Sequence, residues 1–359
     1  MSGCRLLVTL AGLVALSAAG SAQQPRAWEL VGDSIRVDAL LVSGDSAVFA
    51  FGTDGVVRVA EQPFDEWTVL ADQGFSADDL YEASTGTLFA NTRTLIRSQD
   101  RGRTWTFVYQ DVFGVIEVPP SAPGGRALLA AVNGQGVIRS TDDGDAWSVP
   151  TPGVPPFDRL NLYAFAYAPP SPARATGIVV GVGTGGAAFS ADGGRAWQAS
   201  NLLAPFGLLA DYAVYSEHDD TVYAVVNGPP TAGGSGDPLG NVYATRDGAT
   251  WTWQGRVPAE GDESPARILA GADGVLWVTF PGRIDGPVWS SGDGGRTWTE
   301  RGRIDGTAGA GLRAGAGGAA VGGVLVAAGS GPAGGGGALG GAGSGRERGG
   351  ARGTAGKGR

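Results

Sequence analysis

The 359-residue chain predicts an all-β fold made of repeated four-stranded antiparallel units, on three observations. The pattern Ser-x-Asp-x-Gly-x-x-Trp occurs in residues 98–105, 140–147, 190–197 and 291–298, and a shortened copy ends at Trp251. Its spacing of roughly 40–50 residues is typical of repeat architectures. Apolar and polar residues alternate between Gly, Asp and Asn, which favours strands, and no segment shows the periodicity of an amphipathic helix.

Every unit has the same predicted order of elements. A short apolar strand comes first, and a second strand follows, as in residues 88–91 or 222–225. A third strand, such as residues 94–97, leads into the Asp-containing turn, and the fourth strand carries the Trp. Four antiparallel strands repeated radially describe the blades of a β-propeller.

The repeated pattern predicts a tight turn with a packing anchor. Asp100 can accept bonds from backbone N–H groups that follow it, and the Ser98 hydroxyl can bond back to the same loop. Gly102 supplies the positive φ at low steric cost, and Trp105 buries a large apolar surface between sheets. The residues predicted to play these structural roles are Ser98, Asp100, Gly102, Trp105, Ser140, Asp142, Gly144, Trp147, Ser190, Asp192, Gly194, Trp197, Asp247, Gly248, Trp251, Ser291, Asp293, Gly295 and Trp298.

These residues match the Asp-box, also called the BNR repeat, and over about residues 25–300 the chain resembles the Asp-box β-propellers. That group includes sialidases, xyloglucan-cleaving glycosidases, sortilin-type receptors and photosystem assembly-factor propellers. The resemblance implies that the box lies on the blade periphery, away from an active site. The acids Asp100, Asp142, Asp192 and Asp293 are therefore not expected to be catalytic.

The tryptophans predict the number of blades. Trp67 and Trp28 continue the phase of the repeated Trp without the full pattern. Trp28 has no unit before it, so we expect an N-terminal strand that completes a degenerate last blade and closes a seven-bladed ring. The other strands of that blade would follow Trp298, and residues 323–329 resemble a second strand. The alternative is a six-bladed propeller with a flexible low-complexity tail.

The predicted organisation has four parts. Residues 1–22 have the basic start, apolar stretch and small-residue end of a secretory signal peptide, which predicts a secreted or periplasmic protein. Residues 23–300 form the propeller, 301–329 a possible partial seventh blade, and 330–359 a Gly-rich disordered tail. Cys4, the one cysteine, lies in the signal segment, so the processed chain would have no thiol.

Charge and composition limit the kinds of partner and cofactor that we expect. The net charge is −9, and the tail from Arg303 onward is basic, so the remainder is strongly acidic and nucleic acid is not expected as a partner. No second apolar run is long enough for a membrane span in the processed chain. His218 is the one histidine, which argues against a Ser-His-Asp set and a His-based zinc site. We therefore predict neither cofactor nor metal.

Sialidase chemistry does not carry over residue by residue. A sialidase would need three arginines, an acid/base and a Tyr nucleophile with a Glu partner, and the early arginines Arg36 and Arg58 lack the expected following proline. Tyr212 and Tyr215 with Glu217 could imitate a Tyr/Glu pair. The favoured interpretation places both tyrosines in an inner strand and Glu217 in its polar turn.

Another glycosidase would need two placed carboxylates. The candidates on first strands and their loops are Asp38, Asp78, Asp79, Glu82, Glu117, Asp158 and Asp211. Nothing in the sequence pairs any two of them across blades. The sequence therefore favours an exported, non-catalytic propeller that binds a protein or glycan at its face or serves as an assembly scaffold. The alternative is a secreted sialidase-like or other glycoside hydrolase, and a photosystem-assembly-like role ranks lower because no arginine-rich face is visible.

Overall fold

A computed structural model describes most of the chain between residues 37 and 304 and three short segments outside it. The described residues are 7–9, 37–45, 47–52, 54–61, 66–75, 77, 79–149, 161–184, 186–203, 209–227, 240–258, 267–271, 273–280, 286–304, 312–313 and 324–327. All regular elements among them are β-strands, which confirms the predicted all-β class. None of these residues forms a helix that could cross a membrane.

The strands group into seven antiparallel sheets, numbered here in chain order, with β1 in the seventh. The strands are β1 (Leu7–Thr9); β2 (Val37–Val42), β3 (Val48–Gly52), β4 (Val56–Ala60) and β5 (Thr68–Asp72) in sheet 1; β6 (Asp79–Glu82), β7 (Leu88–Asn91), β8 (Thr94–Ser98) and β9 (Thr106–Gln110) in sheet 2; β10 (Val112–Val118), β11 (Ala127–Val132) and β12 (Gly136–Ser140) in sheet 3; β13 (Asn161–Ala168), β14 (Ile178–Thr184), β15 (Gly186–Ser190) and β16 (Gln198–Leu203) in sheet 4; β17 (Leu209–Ser216), β18 (Thr221–Asn227), β19 (Asn241–Thr245) and β20 (Thr252–Arg256) in sheet 5; β21 (Arg267–Ala270), β22 (Leu276–Thr279), β23 (Gly286–Ser291) and β24 (Thr299–Ile304) in sheet 6; β25 (Leu312–Arg313) and β26 (Val324–Ala327) in sheet 7.

Sheets 1 to 6 are simple meanders, in which each strand pairs with the next one along the chain. Five of them have the predicted four strands. Sheet 3 has three, and its fourth position is reduced to an isolated bridge between Arg139 and Ser148. The outer strand of sheet 6 runs to Ile304, four residues beyond the predicted propeller boundary at 300.

The sheets are arranged radially around their first strands. The inner strands β2, β6, β10, β13, β17 and β21 contact one another in that order, and β25 contacts both β21 and β2. Radial repetition of meander sheets is the architecture of a β-propeller. The number of blades stays a prediction. Trp28 lies outside the described residues, and the strand paired with β26 is β1, from the segment predicted to be cleaved.

The apolar core is divided into layers between consecutive sheets. One layer, for example, joins Val180 and Phe189 of sheet 4 to Val222, Tyr243 and the fully buried Trp251 of sheet 5. Equivalent layers lie between sheets 1 and 2, 2 and 3, 3 and 4, and 5 and 6. Because successive side chains of a strand point to opposite faces, the middle strands contribute to two layers and are buried throughout.

The hydroxyl, carboxylate and amide hydrogen bonds of the repeated turn recur in sheets 2, 3, 4 and 6, and the Trp indole bond recurs in sheets 2, 4 and 6. In sheet 4, the Ser190 hydroxyl donates to Asp192 Oδ1 (2.8 Å) and accepts from Gly194 N (2.8 Å). Asp192 Oδ1 also accepts from Ala196 N (2.9 Å), and Trp197 Nε1 donates to Gly194 O (3.2 Å). Thr245 and Asp247 make the corresponding hydroxyl–carboxylate bond in the shortened copy of sheet 5 (3.1 Å).

Gly194 shows why this turn uses glycine. Its φ is +83°, a region that L side chains avoid. A Cβ atom built on it would also lie 2.5 Å from Leu129 Cδ2 of sheet 3. The turn therefore contacts the preceding sheet directly, at the place where Trp197 enters the layer between the two.

We expect Gly194→Ala to destabilise the fold by about 2–4 kcal/mol, because the new methyl adds left-handed backbone strain and a steric clash with Leu129. Gly292→Ala is the matched control, since a Cβ there meets nothing within 4 Å. Chemical unfolding of both variants measures the difference. Equal stability of the two variants would contradict the role given to this glycine.

Acid should weaken the turns. Hydrogen bonds from the Thr104 hydroxyl and backbone, with smaller ones from Ser98 and Arg103, lower the pKa of Asp100 to about 2, from an ordinary value of 3.8. A pKa lowered on folding stabilises the fold above the unfolded-state value, and this stabilisation is lost as the pH falls from about 4 towards 2. Asp100→Asn should therefore flatten the decline of unfolding free energy in that range, measured by urea titrations between pH 5 and 2. An unchanged slope would contradict this assignment.

Candidate functional site at the inner-strand rim

The two faces of the propeller are used differently. The repeated turns connect third and fourth strands, so they lie on the face where the inner strands end. This is called the turn face below. The opposite face holds the first residues of the inner strands β2, β6, β10, β13, β17 and β21, which we call the rim.

The rim is distorted by bulges. Four of the six inner strands shift register within their first four residues, between Val37 and Ala39, Val112 and Gly114, Leu162 and Ala164, and Leu209 and Tyr212. The extra residues are Asp38, Phe113, Tyr163, and 210–211. A bulge inserts a residue that the neighbouring strand does not pair, and it re-aims side chains at the edges of sheets and near functional sites.

Two bulged aromatic residues meet across sheets 3 and 4. The rings of Phe113 and Tyr163 pack edge to face with their centroids 4.7 Å apart. Thr184 Oγ1 donates to the Tyr163 hydroxyl (2.8 Å), which fixes the ring's polar end. A Cβ on Gly114 would lie 2.5 Å from the Tyr163 carbonyl oxygen, so glycine lets the two inner strands approach this closely.

An arginine lies at the rim between sheets 5 and 6. Arg267 begins β21 and is only 8 % exposed, and its guanidinium carbon lies 4.9 Å from the centre of the Tyr212 ring in β17. This distance is typical of a cation–π contact. Arg267 Nε is buried without an acceptor, and the described residues place no carboxylate within ion-pair distance of it.

Three of the seven carboxylates proposed from the sequence belong to inner strands at the rim: Asp38, Asp79 and Asp211. Asp79 is half-buried at the start of β6, and its Oδ1 accepts from Leu80 N (3.0 Å). The side chains of Asp38 and Asp211 are outside what the structure describes, as are residues 78 and 158 entirely. The structure therefore places acids at this end of three inner strands.

The other two proposed acids, Glu82 and Glu117, lie on the turn face and connect neighbouring sheets. Glu82 accepts from Ser43 Oγ (2.9 Å) and Gly44 N (3.0 Å) of sheet 1. Glu117 accepts from the Ser84 amide and hydroxyl (both 2.6 Å) and pairs with Arg126. Both carboxylates are thus occupied by inter-sheet or local hydrogen bonds.

Asp220 plays the same part between sheets 4 and 5. It accepts from Arg174 (2.6 Å), from Tyr215 (3.0 Å) and from Ser171. Burial would raise the pKa of Asp220, but the hydrogen bonds from these three partners lower it below its ordinary value. Burial and Asp220 raise the pKa of Tyr215 to about 12, so this hydroxyl keeps its proton at neutral pH.

The residues considered for sialidase chemistry are dispersed. Arg58 lies in a third strand and pairs with Asp54 (2.6 Å), and Arg36 is outside the described residues. Tyr212 and Tyr215 lie in inner strand β17, and Glu217 is exposed in the turn that follows. Tyr215 bonds to the inter-sheet acid Asp220. Within the described ranges, these positions form no arginine triad and no Tyr/Glu pair.

The turn face also has a polar cavity of about 800 Å³ between sheets 5 and 6. His218, Asp219, Tyr223, Arg246 and Arg296 contribute to its wall. The further wall residues Asp247 and Asp293 accept from backbone N–H groups of their own turns. Across the described part of the chain, no group of three His, Asp or Glu side chains is placed to hold a metal ion.

Sequence reasoning missed Phe113, Tyr163 and Arg267 as site residues. Tyr212 was considered for a different role. The available signal was weak: Arg267 is a lone charge at the start of the apolar run Arg-Ile-Leu-Ala, where a first strand is expected. The bulges at Phe113 and Tyr163 leave no local pattern in the sequence.

The fold and rim define a β-propeller whose candidate binding surface faces away from its repeated turns. Solved structures similar to the chain confirm the β-propeller fold. A YCF48 protein bound to a D1 peptide has a TM-score of 0.51 at 13% identity, covering 88% of this chain and 96% of that one. YCF48 from Cyanidioschyzon merolae has a TM-score of 0.54 at 14% identity, covering 82% and 94%.

A Niastella koreensis GH74 enzyme is also similar, with a TM-score of 0.52 at 19% identity, and the match covers 75% of this chain and 46% of the enzyme. No protein-family model matches the chain, and no curated protein matches it in sequence. At these identities the similarities show the fold, and function must come from the site.

Proposed function

We propose that this chain is an exported, non-catalytic β-propeller of the Asp-box type that binds a segment of a partner protein across its rim. One observation carries the proposal. The rim concentrates aromatic rings and a mostly buried arginine, whereas Glu82 and Glu117 on the turn face are engaged in hydrogen bonds between sheets.

The chemistry of the rim suits peptide recognition. Aromatic residues and arginine carry most of the binding energy at protein interfaces, because they combine large apolar area with directional polar groups. Phe113 and Tyr163 are braced by each other and by Thr184, so little side-chain entropy is lost when a partner packs on them. Rigid anchors of this kind favour a binding surface over a hydrolytic cleft.

The similarity in fold also supports peptide binding, by analogy. One of the similar propellers is described as bound to a peptide, and this chain matches nearly all of it. The hydrogen bonds of the repeated turn support the Asp-box assignment, and the apolar N-terminal pattern supports export.

A second candidate function is glycoside hydrolysis. It is favoured by the position of Asp38, Asp79 and Asp211, which all lie near the rim end of inner strands. Two carboxylates across a cleft are the minimum that glycoside hydrolysis requires. The similarity to the GH74 enzyme agrees with this candidate, although the chain spans about half of that enzyme's length.

Peptide binding is tested on an array of random-sequence peptides, with the selected peptide then titrated by fluorescence anisotropy. Tyr163→Ala should weaken its binding roughly 10-fold or more, as expected for an interface anchor. Phe107→Ala is the control, because Phe107 is a 67 % exposed aromatic side chain on an outer strand. No selected peptide, or equal losses in the two variants, would overturn the proposal.

The hydrolase candidate is tested with aryl glycosides, including a sialoside. We expect no turnover by the folded protein. Turnover that disappears in Asp79→Asn, with unchanged thermal unfolding, would transfer the function to the second candidate. A glycan array run in parallel detects binding of sugar without hydrolysis, which would also count against a protein partner.

A further inference from the structure

Two arginines are equally buried but differ in their partners. Arg174 is 7 % exposed, and Arg267 is 8 % exposed. The Arg174 guanidinium pairs with Asp220 and donates to the carbonyl oxygens of Pro169 and Arg246. Arg267 makes its cation–π contact with Tyr212, and among the described residues it has neither a carboxylate nor a carbonyl partner. A buried charge without a counter-charge is unfavourable, so the Arg267 position is incomplete as it stands.

A second unsatisfied donor lies beside Arg267. Thr279 is its direct cross-strand partner in the β21–β22 pairing, and directly paired residues share one face of a sheet. Thr279 is 1 % exposed, and its hydroxyl has no hydrogen-bond partner among the described residues. Native proteins seldom leave buried polar groups unpaired, and two unpaired donors at one register position can be satisfied by a single shared acceptor.

We propose that Arg267, Thr279 and Tyr212 form a carboxylate-binding site at the junction of sheets 5 and 6, which receives a carboxylate of the bound peptide. This inference rests on the proposed peptide-binding function and names the group that is recognised. The Arg267 guanidinium and the Thr279 hydroxyl both donate hydrogen bonds, so the ligand must supply a hydrogen-bond acceptor. A carboxylate matches the planar guanidinium, which the Tyr212 ring holds by its face.

The charge of the chain favours a singly charged ligand group. A net charge of −9 repels anions at long range, and a multiply charged group would be repelled more than a carboxylate. The carboxylate can come from the C-terminus of the partner or from an Asp or Glu side chain. Both sources present the same two oxygens to Arg267, and the experiment distinguishes them.

The binding test compares the array-selected peptide with two altered forms, one amidated at its C-terminus and one with its acidic side chains changed to amides. One of the two forms should bind wild-type protein roughly 10- to 100-fold more weakly, as expected for the loss of a charged hydrogen bond. In Arg267→Gln the same alteration should have little effect, because the group that reads the carboxylate is gone. Equal losses in wild type and variant, or no loss in wild type, would overturn the site.

Stability of the free protein gives a readout that a merely structural arginine would not share. Arg267→Met should leave the midpoint of thermal unfolding unchanged or raise it, because it removes a buried charge that has no counter-charge among the described residues. Arg174→Met is the matched control and should lower the midpoint by roughly 5–10 °C, because it leaves Asp220 without its cation. A comparable loss in both variants would assign Arg267 a structural role and reject the proposal.

A titration with sodium acetate separates this inference from the peptide proposal. The side-chain Nε–H signal of Arg267 in nitrogen-15 NMR should shift on addition of acetate and stay in place with sodium chloride at equal ionic strength. An acetate shift without any selected peptide would retain the carboxylate site and reject the peptide partner. Identical responses to acetate and chloride would reject the site itself.

Discussion

The structure depends on the contact between each repeated turn and the sheet that precedes it. Gly194 leaves no room for a side chain against Leu129, and the adjoining Trp197 fills the layer between the same two sheets. Because the Ser190 hydroxyl and Asp192 carboxylate hold the turn, the position of the Trp197 indole between the two sheets is fixed. Each sheet is thereby positioned by its predecessor, so stability is a chain of nearest-neighbour interfaces, as in other repeat proteins.

This construction determines which face is available for function. The turn face contains the inter-sheet acids Glu82, Glu117 and Asp220, whose hydrogen bonds join neighbouring sheets. These three carboxylates are therefore committed to the fold. The rim has no repeated turn, and four of its six inner strands bulge there. Departures from regular geometry can accumulate at this end without weakening the packed layers, which is where sites are expected on a repeat scaffold.

The sequence predicted what is local and repeated. The spacing of Ser190, Asp192, Gly194 and Trp197 implies the turn and the four-strand plan, since these residues interact within eight positions. It could not predict that sheet 3 would keep only a bridge at Ser148, or that residues 7–9 would pair with β26, because such pairing depends on distant backbone. Arg267 and Tyr212 are 55 positions apart in the sequence and belong to two different sheets, so no pattern within one repeat unit could predict their contact.

The polar groups at the rim are less completely hydrogen-bonded at one junction than the hydroxyl, carboxylate and amide groups of the repeated turns. In the turns, hydroxyl, carboxylate and amide groups satisfy one another. At the junction of sheets 5 and 6, Arg267 Nε and Thr279 Oγ1 are buried without partners in the described part of the chain, and their desolvation opposes folding. A fold whose layers supply stability from many equivalent interfaces can tolerate such a local cost. Functional sites are the places where local consistency is commonly broken in this way, and this is the physical basis on which we propose that a ligand supplies the acceptor for these two donors.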